Sequence, residues 1–319
     1  MIGRSSAVRQ ATIFIGLVYA AVIAIALLFP GRDGPAPLLS IFVPTLAVVA
    51  VTFGFTPRGR RREIWAGMGL NRPGWRLWPA AILVPAAVVT VPYVIAWAAG
   101  MIGVHEVLIS LPDLFLTVVV FTVVILGEEI GWRGFLLPRL QSILPRNRAA
   151  VATGFLHGLF HVPLLTMTAS YDADGSRWII TPVVVLAVTC AGVFYAWLRD
   201  ASGSIWPVAV AHNMVNSVVD YASTIVVASS PSALAYLAGE SGLGTLAAIA
   251  AVAGCLLVGP HRRTAPAGAR RGDDGINDGI DDGMKRGGAF TDLDGGTTVS
   301  QVGGDAPGAA EALPGLQDA

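Results

Sequence analysis

Glu128-Glu129-Ile130-Gly131-Trp132-Arg133 lies inside an apolar run, residues 114–137, that is long enough to cross a bilayer. A helix needs about 20 mostly apolar residues to span the hydrocarbon core. Two adjacent carboxylates and an arginine at that depth are costly, about 2.5–3.5 kcal/mol for each central charge on insertion scales. Such a cluster is kept for an ion path, a proton relay or chemistry inside the membrane.

Working outward, 54% of the 319 residues are apolar, only 13% are charged, and the mean hydropathy is +0.65. Soluble domains carry roughly 25% charged residues, so this composition is that of an integral membrane protein. The net charge of zero hides an asymmetry: arginines flank the apolar segments, while ten of the 21 acidic residues lie beyond Arg271. Lysine occurs once, at Lys285. No basic face marks a nucleic-acid partner. Cys190 and Cys255 both sit in apolar segments, with no disulfide framework or metal-type spacing. The first apolar run follows Arg4 and Arg9 and is too long for a signal peptide, so it reads as a membrane helix.

The expected fold is all-α, a polytopic membrane helix bundle of about eight spans. These are about 11–30, 37–56, 77–100, 114–137, 149–168, 178–198, 205–228 and 235–258. The span 205–228 is the least apolar, carrying His212, Asn213, Asn216 and Asp220. Arg58, Arg60, Arg61, Arg62, Arg72 and Arg76 follow the second span, and Arg139, Arg146 and Arg148 the fourth. Arg199 follows the sixth, and Arg262, Arg263, Arg270 and Arg271 the eighth. The alternate loops hold only Arg32 and Arg177. The positive-inside rule then places both termini in the cytoplasm of a bacterial-type cell membrane. Residues 1–260 form the expected membrane domain, and 261–319 an expected disordered Gly/Asp-rich cytoplasmic tail. The Asp273-Asp274-Gly275 and Asp278–Gly283 runs lack calcium-loop ligand spacing and read as solvated linker.

Three polar groups fall within spans: Glu128, Glu129 and Arg133 on the fourth, His157 and His161 on the fifth, His212 and Asn216 on the seventh. Both pairs on the later spans are separated by four residues, so the members of each share a helix face. Glu129 and Arg133 have the same spacing and can pair, which leaves Glu128, rotated about 100°, for another partner. At about 1.5 Å per residue, Glu128 lies about 14 Å, His161 about 18 Å and His212 about 10 Å from the cytoplasmic ends of their spans. The three groups are therefore expected to meet in the cytoplasmic half of the bilayer, with entry from that face or from the lipid. A lone membrane histidine often only bonds a neighbouring helix, a reading that weighs most on His157, and Asn216 could likewise be helix glue. Arg133 reads as structural, and Trp132 and Phe135 as packing or interface anchors.

The run Glu128–Leu140, EEIGWRGFLLPRL, resembles the first motif, EExxxR, of the CPBP (CAAX protease and bacteriocin-processing, Abi) intramembrane proteases. His161 fits the histidine of the second motif, FxxxH, with His157 in the aromatic position, and His212 and Asn216 fit the third, HxxxN. The resemblance covers about residues 110–220. It implies an all-helical membrane endopeptidase whose eukaryotic relatives remove the last three residues of prenylated CAAX proteins. Bacterial relatives process or resist peptides, or act in bacteriocin self-immunity. Nothing in this chain favours a prenylated substrate over another membrane-associated protein or peptide.

With no serine or cysteine paired to a base in the cluster, a covalent nucleophile is disfavoured. The expected mechanism has Glu128, helped by His161, activating water. His212 and Asn216 would donate to the oxyanion, while Glu129, Arg133 and His157 support the geometry. The family's metalloprotease label keeps a zinc variant open, with Glu128, His161 and His212 as ligands and His157 as a spare. Asn216 and the adjacent Glu129 suit hydrogen-bond catalysis better. The other classes are a non-enzymatic immunity or scaffold protein that binds a peptide or partner, and a proton-coupled transporter. The interrupted half-helices that transport folds show are not evident.

Overall fold

Apolar runs decide where helices form in this chain, and glycine and proline decide where they stop. The computed structural model describes residues 3–31, 34–105, 111–169 and 175–259. All of these lie within a compact unit spanning Met1–Thr264. The expected tail 261–319, with its Asp-Gly runs, and Arg32 lie outside the described residues.

Two long helices come first, α1 (Arg4–Leu28) and α2 (Ala36–Gly54), then a short α3 (Arg61–Ala66) and α4 (Trp78–Ala98). A brief strand β1 (Ile102–Val104) precedes α5 (Leu111–Glu129), which continues through a π-helical turn, Ile130–Leu136, into α6 (Leu137–Gln141). Then come α7 (Arg146–Phe160), α8 (Val162–Met167), α9 (Arg177–Ser202) and α10 (Trp206–Ile225). Strand β2 (Val226–Ala228) pairs antiparallel with β1, and α11 (Pro231–Leu237) and α12 (Leu243–Val258) complete the fold.

The protein is an all-α polytopic bundle. Among the described residues six helices are long and apolar enough to cross a membrane: Arg4–Leu28, Ala36–Gly54, Trp75–Ala98, Phe115–Gln141, Arg146–Met167 and Arg177–Ser202. The expected count of eight differs from these six at the seventh and eighth spans. Helix α10 has 20 residues but is too polar to qualify on hydropathy. The expected eighth span is broken: α11 ends at Leu237, and Gly239 adopts φ +80. That left-handed conformation suits glycine and stops a helix. Helix α12 therefore has 16 residues, about 24 Å of length. The fifth span is interrupted at His161, because Pro163 has no N–H to continue the helical ladder.

The ends of the helices sort by charge. At one end Arg139 Nε donates to Gln10 Oε1 at 2.9 Å, and Arg146 Nε pairs with Asp200 at 2.7 Å. At the same end Arg199 Nη2 donates to the Gly67 carbonyl at 2.6 Å, and Ser204 Oγ donates to the Arg72 carbonyl. The loops after α2, α6 and α9 and the start of α1 thus form one arginine-rich end. At the opposite end Ala169 N donates to the Pro30 carbonyl at 2.8 Å, β1 pairs with β2, and Ser176 N donates to the Tyr236 hydroxyl.

Small residues let the central helices touch. A Cβ at Gly131 would collide with Pro44 of α2, and one at Gly127 would lie 2.8 Å from the Ile41 carbonyl. Thr45 Oγ1 donates to the Gly127 carbonyl at 2.7 Å across the same contact. On the other side Gly154 of α7 meets Gly192 of α9, and a Cβ at Gly154 would lie 2.5 Å from the Thr189 carbonyl. Close helix packing through small residues is the usual solution in lipid, where apolar burial alone does not drive association. Gly154→Ala is expected to wedge α7 from α9 and cost about 1–3 kcal/mol. Thermal unfolding in detergent checks this against Gly16→Ala, whose new methyl meets nothing within 4 Å.

Candidate active site

The π-helical turn begins immediately after Glu129, so the two carboxylates stand at a break in the ladder. Such π turns recur at functional sites, where they re-aim side chains. Glu128 is 5% exposed and Glu129, Arg133 and His157 are at most 1% exposed, so every charge here needs a partner.

The partners form one continuous chain of hydrogen bonds. Arg133 Nη1 donates to Glu129 Oε1 at 2.9 Å and Oε2 at 3.2 Å. The same Nη1 lies 3.0 Å from His157 Nδ1. His157 Nε2 lies 2.7 Å from Glu128 Oε2, and His212 Nδ1 lies 2.7 Å from Glu129 Oε1. The order is His212–Glu129–Arg133–His157–Glu128, drawn from α10, α5 with its π-helical turn, and α7. Glu129 pairs with Arg133 and Glu128 takes a different partner, as the 100° rotation requires.

Arginine only donates, which fixes the tautomer of His157. Its Nδ1 accepts from Arg133, so Nε2 carries the proton and donates to Glu128. Glu129, held by Arg133, accepts from His212 Nδ1. Each ring also has an aromatic backing: Trp132 stacks on His157 with centroids 4.9 Å apart, and Tyr195 stacks on His212 at 5.6 Å. The guanidinium of Arg133 lies 4.8 Å from the Tyr195 ring centre, a cation–π contact.

His161, half-buried, stands one turn beyond His157, with ring centroids 5.2 Å apart. Glu128, His157, His161, His212 and Asn216 all line a cavity of about 210 Å³, with Tyr195 and Phe160 beside them. Every residue expected at the site is therefore gathered at this cavity or directly behind it.

Two expectations change. The ligating atoms that lie within 4.8 Å of one another belong to Glu128, His157 and His161, rather than to Glu128, His161 and His212. His212 is outside that group and has its Nδ1 2.7 Å from Glu129 Oε1. A catalytic zinc takes three protein ligands. His157 has one nitrogen occupied by Arg133 and the other protonated toward Glu128, so it has no lone pair to give. While it keeps Arg133 and Glu128 as partners, His157 is not free to be the third ligand beside Glu128 and His161. The second change concerns helix glue, weighed for Asn216. That part is played by Asn213, 1% exposed, whose Nδ2 donates to the Val118 carbonyl at 2.8 Å and Thr122 Oγ1 at 3.0 Å.

Tyr195 was not singled out from the sequence. The available signal was its place on an apolar helix, three residues after Gly192, where α9 touches α7. Its two stacking partners come from other helices, so no spacing along the chain reveals them.

No match to a curated protein is found. Residues 110–218 match the family described as Type II CAAX prenyl endopeptidase Rce1-like. The matched segment runs from α5 into α10 and contains Glu128, Glu129, Arg133, His157, His161, His212 and Asn216. That match lies over the entire hydrogen-bonded chain, so over this segment the protein is similar to the CPBP/CAAX protease family.

Proposed function

We propose that this protein hydrolyses a peptide bond of a membrane-associated protein or peptide, using water activated by Glu128 together with His161. The observation that carries the reading is the buried chain from His212 to Glu128, which ends on a carboxylate and His161 facing one cavity. Glu128 takes a proton from water as its oxygen bonds to the scissile carbonyl carbon. The negative oxygen that forms is held by donors from His212 and Asn216. Collapse breaks the C–N bond, and the proton on Glu128 passes to the leaving amine.

His212 serves as a donor at Nε2 only when its ring carries both protons, because Nδ1 already faces Glu129. Charge balance supports that form. Two carboxylates and one arginine leave the buried cluster with one net negative charge, and an imidazolium neutralises it. Glu129 then acts on His212 as the carboxylate of a triad acts on its histidine, fixing orientation and stabilising the cation.

The two asparagines separate catalysis from packing. Asn216→Ala is expected to lower the hydrolysis rate by about 10²–10³-fold with little change in stability. Asn213→Ala is expected to lower stability by about 0.6–1.7 kcal/mol for each interhelical bond lost. Rate assays and thermal unfolding on both variants check the contrast.

The same reading is metal-free. Dialysis against a strong chelator is expected to leave hydrolysis intact, and elemental analysis to find no stoichiometric zinc. One zinc per chain, lost on His161→Ala, would instead support a metalloprotease. We place both termini in the cytoplasm, with the arginine-rich end inside and α10 and α12 completing eight crossings.

The decisive experiment compares terminal peptides by mass spectrometry in native membranes carrying wild type or Glu128→Gln at equal abundance. Peptide ends found only with wild type establish proteolysis and the substrate class. Identical termini, with the cellular phenotype kept by the variant, would support a peptide-binding immunity or scaffold protein.

A further inference from the structure

With His212 doubly protonated, Glu129 carries two cations on one carboxylate. Arg133 Nη1 lies 2.9 Å and His212 Nδ1 2.7 Å from the same oxygen, Oε1. These bonds fix where the two nitrogens sit but leave the tilt of each flat group open. The guanidinium is also short of acceptors: Arg133 Nε and Nη2 are buried with no hydrogen-bond partner among the described residues. A buried donor without an acceptor is costly, so the surface that faces it matters.

Helix α9 supplies that surface. Gly192 passes so close that a Cβ there would lie 3.3 Å from Arg133 Nη2. Three residues on, Tyr195 turns its ring to both cations. The guanidinium carbon is 4.8 Å from the ring centre, and the His212 ring stacks on it at 5.6 Å with 25° between the planes. The face of an aromatic ring is negative and attracts a cation within about 6 Å. The ring is itself held in place: Tyr195 is 4% exposed and shares an apolar cluster with Ala81 of α4 and with Val208 and Ala211 of α10. His157 crosses His212 at 68°, with centroids 5.7 Å apart. His212 is thus fixed at Nδ1, on a face and against a second ring, and it lines the cavity beside Tyr195.

We propose that Tyr195 is a positioning residue of this site: the face of its ring holds Arg133 and His212 on their shared carboxylate, and so sets the direction in which His212 Nε2 meets the cavity. The acting part is the π face and not the hydroxyl. A phenylalanine ring therefore serves equally, and an electron-poor ring of the same shape does not. The effect on rate rests on the hydrolase reading, while the effect on the His212–Glu129 bond does not.

The test changes the ring's electrons and keeps its shape, in the full chain in detergent. Tyr195→Phe retains the negative face, and pentafluorophenylalanine in place of Tyr195 reverses it. Without substrate, proton NMR of the chain with isotope-labelled histidine reads the hydrogen on His212 Nδ1, identified by its loss in His212→Asn. A strong bond to Glu129 gives a far-downfield resonance protected from exchange. With substrate, single-turnover cleavage gives the rate. Tyr195→Phe is expected to keep the resonance and to cleave within about 3-fold of wild type. The fluorinated chain is expected to lose the resonance and to cleave about 10–30-fold more slowly, with substrate affinity little changed. Partly fluorinated rings are expected to fall in between. A fluorinated chain that keeps both resonance and rate overturns the proposal, since the ring then only fills space. So does a Tyr195→Phe rate as low as that of the fluorinated chain, since the hydroxyl would then act, and so does a wild type without the resonance. If wild type cleaves nothing, the hydrolase reading falls and the resonance alone decides the role of Tyr195.

Discussion

Glu128→Gln is expected to fold normally and to lose about 10²–10⁴-fold of its hydrolysis rate. The amide keeps the shape of the carboxylate, and its oxygen can still accept from His157 Nε2, now 2.7 Å from Glu128 Oε2. The Arg133–Glu129–His212 part of the chain is untouched. What disappears is the ability to hold the proton taken from water. The measurement is single-turnover cleavage of a substrate found by terminal-peptide analysis, with thermal unfolding alongside. A variant that cleaves at the wild-type rate would remove Glu128 from the base role. A variant that unfolds would show instead that the charge of Glu128 is structural.

Arg133→Met is expected to be the most destabilising change at the site. It leaves Glu129, 0% exposed, with its charge facing only His212, and it removes the donor to His157 Nδ1. Breaking one partner of a buried pair costs about 3–5 kcal/mol, chiefly because the other charge stays buried. The double variant Arg133→Met with Glu129→Gln removes both charges and is expected to recover much of the stability. It should not recover activity, because His157 loses its donor at Nδ1 and His212 loses the carboxylate charge that stabilises its imidazolium. Thermal unfolding and rate assays on the two variants read this directly. Equal stability of Arg133→Met and wild type would mean that the pair is not needed to hold the cluster.

These two variants probe the parts of the site that differ most in how far the sequence revealed them. The Glu129–Arg133 pair follows from a four-residue spacing on one helix, and so does the separation of Glu128 from it. His157 was legible as a neighbour of His161 but not as the bridge between Arg133 and Glu128. That role depends on the distance between α7 and the π-helical turn, which Gly154, Gly192 and Trp132 set from three places in the chain. Asn213 and Asn216 are three residues apart, and composition gives both the same chemistry. Only the contact of α10 with α5 makes one of them helix glue and leaves the other at the cavity.

The sequence by itself determined that the chain is a membrane helix bundle, because apolar runs in lipid must satisfy their backbone internally and helices do so within one segment. It also determined which ionisable residues lie at membrane depth, since each is too costly to place there without a use. The break of the last span was legible in principle in Gly239 and Gly242, although hydropathy alone passes over it. Tertiary structure decided the rest: which nitrogen faces which carboxylate, which histidine joins Glu128, and which ring backs His212. Those depend on how closely helices approach and how they are rotated about their axes. Both are set by side chains far apart in the chain, and no local period records them.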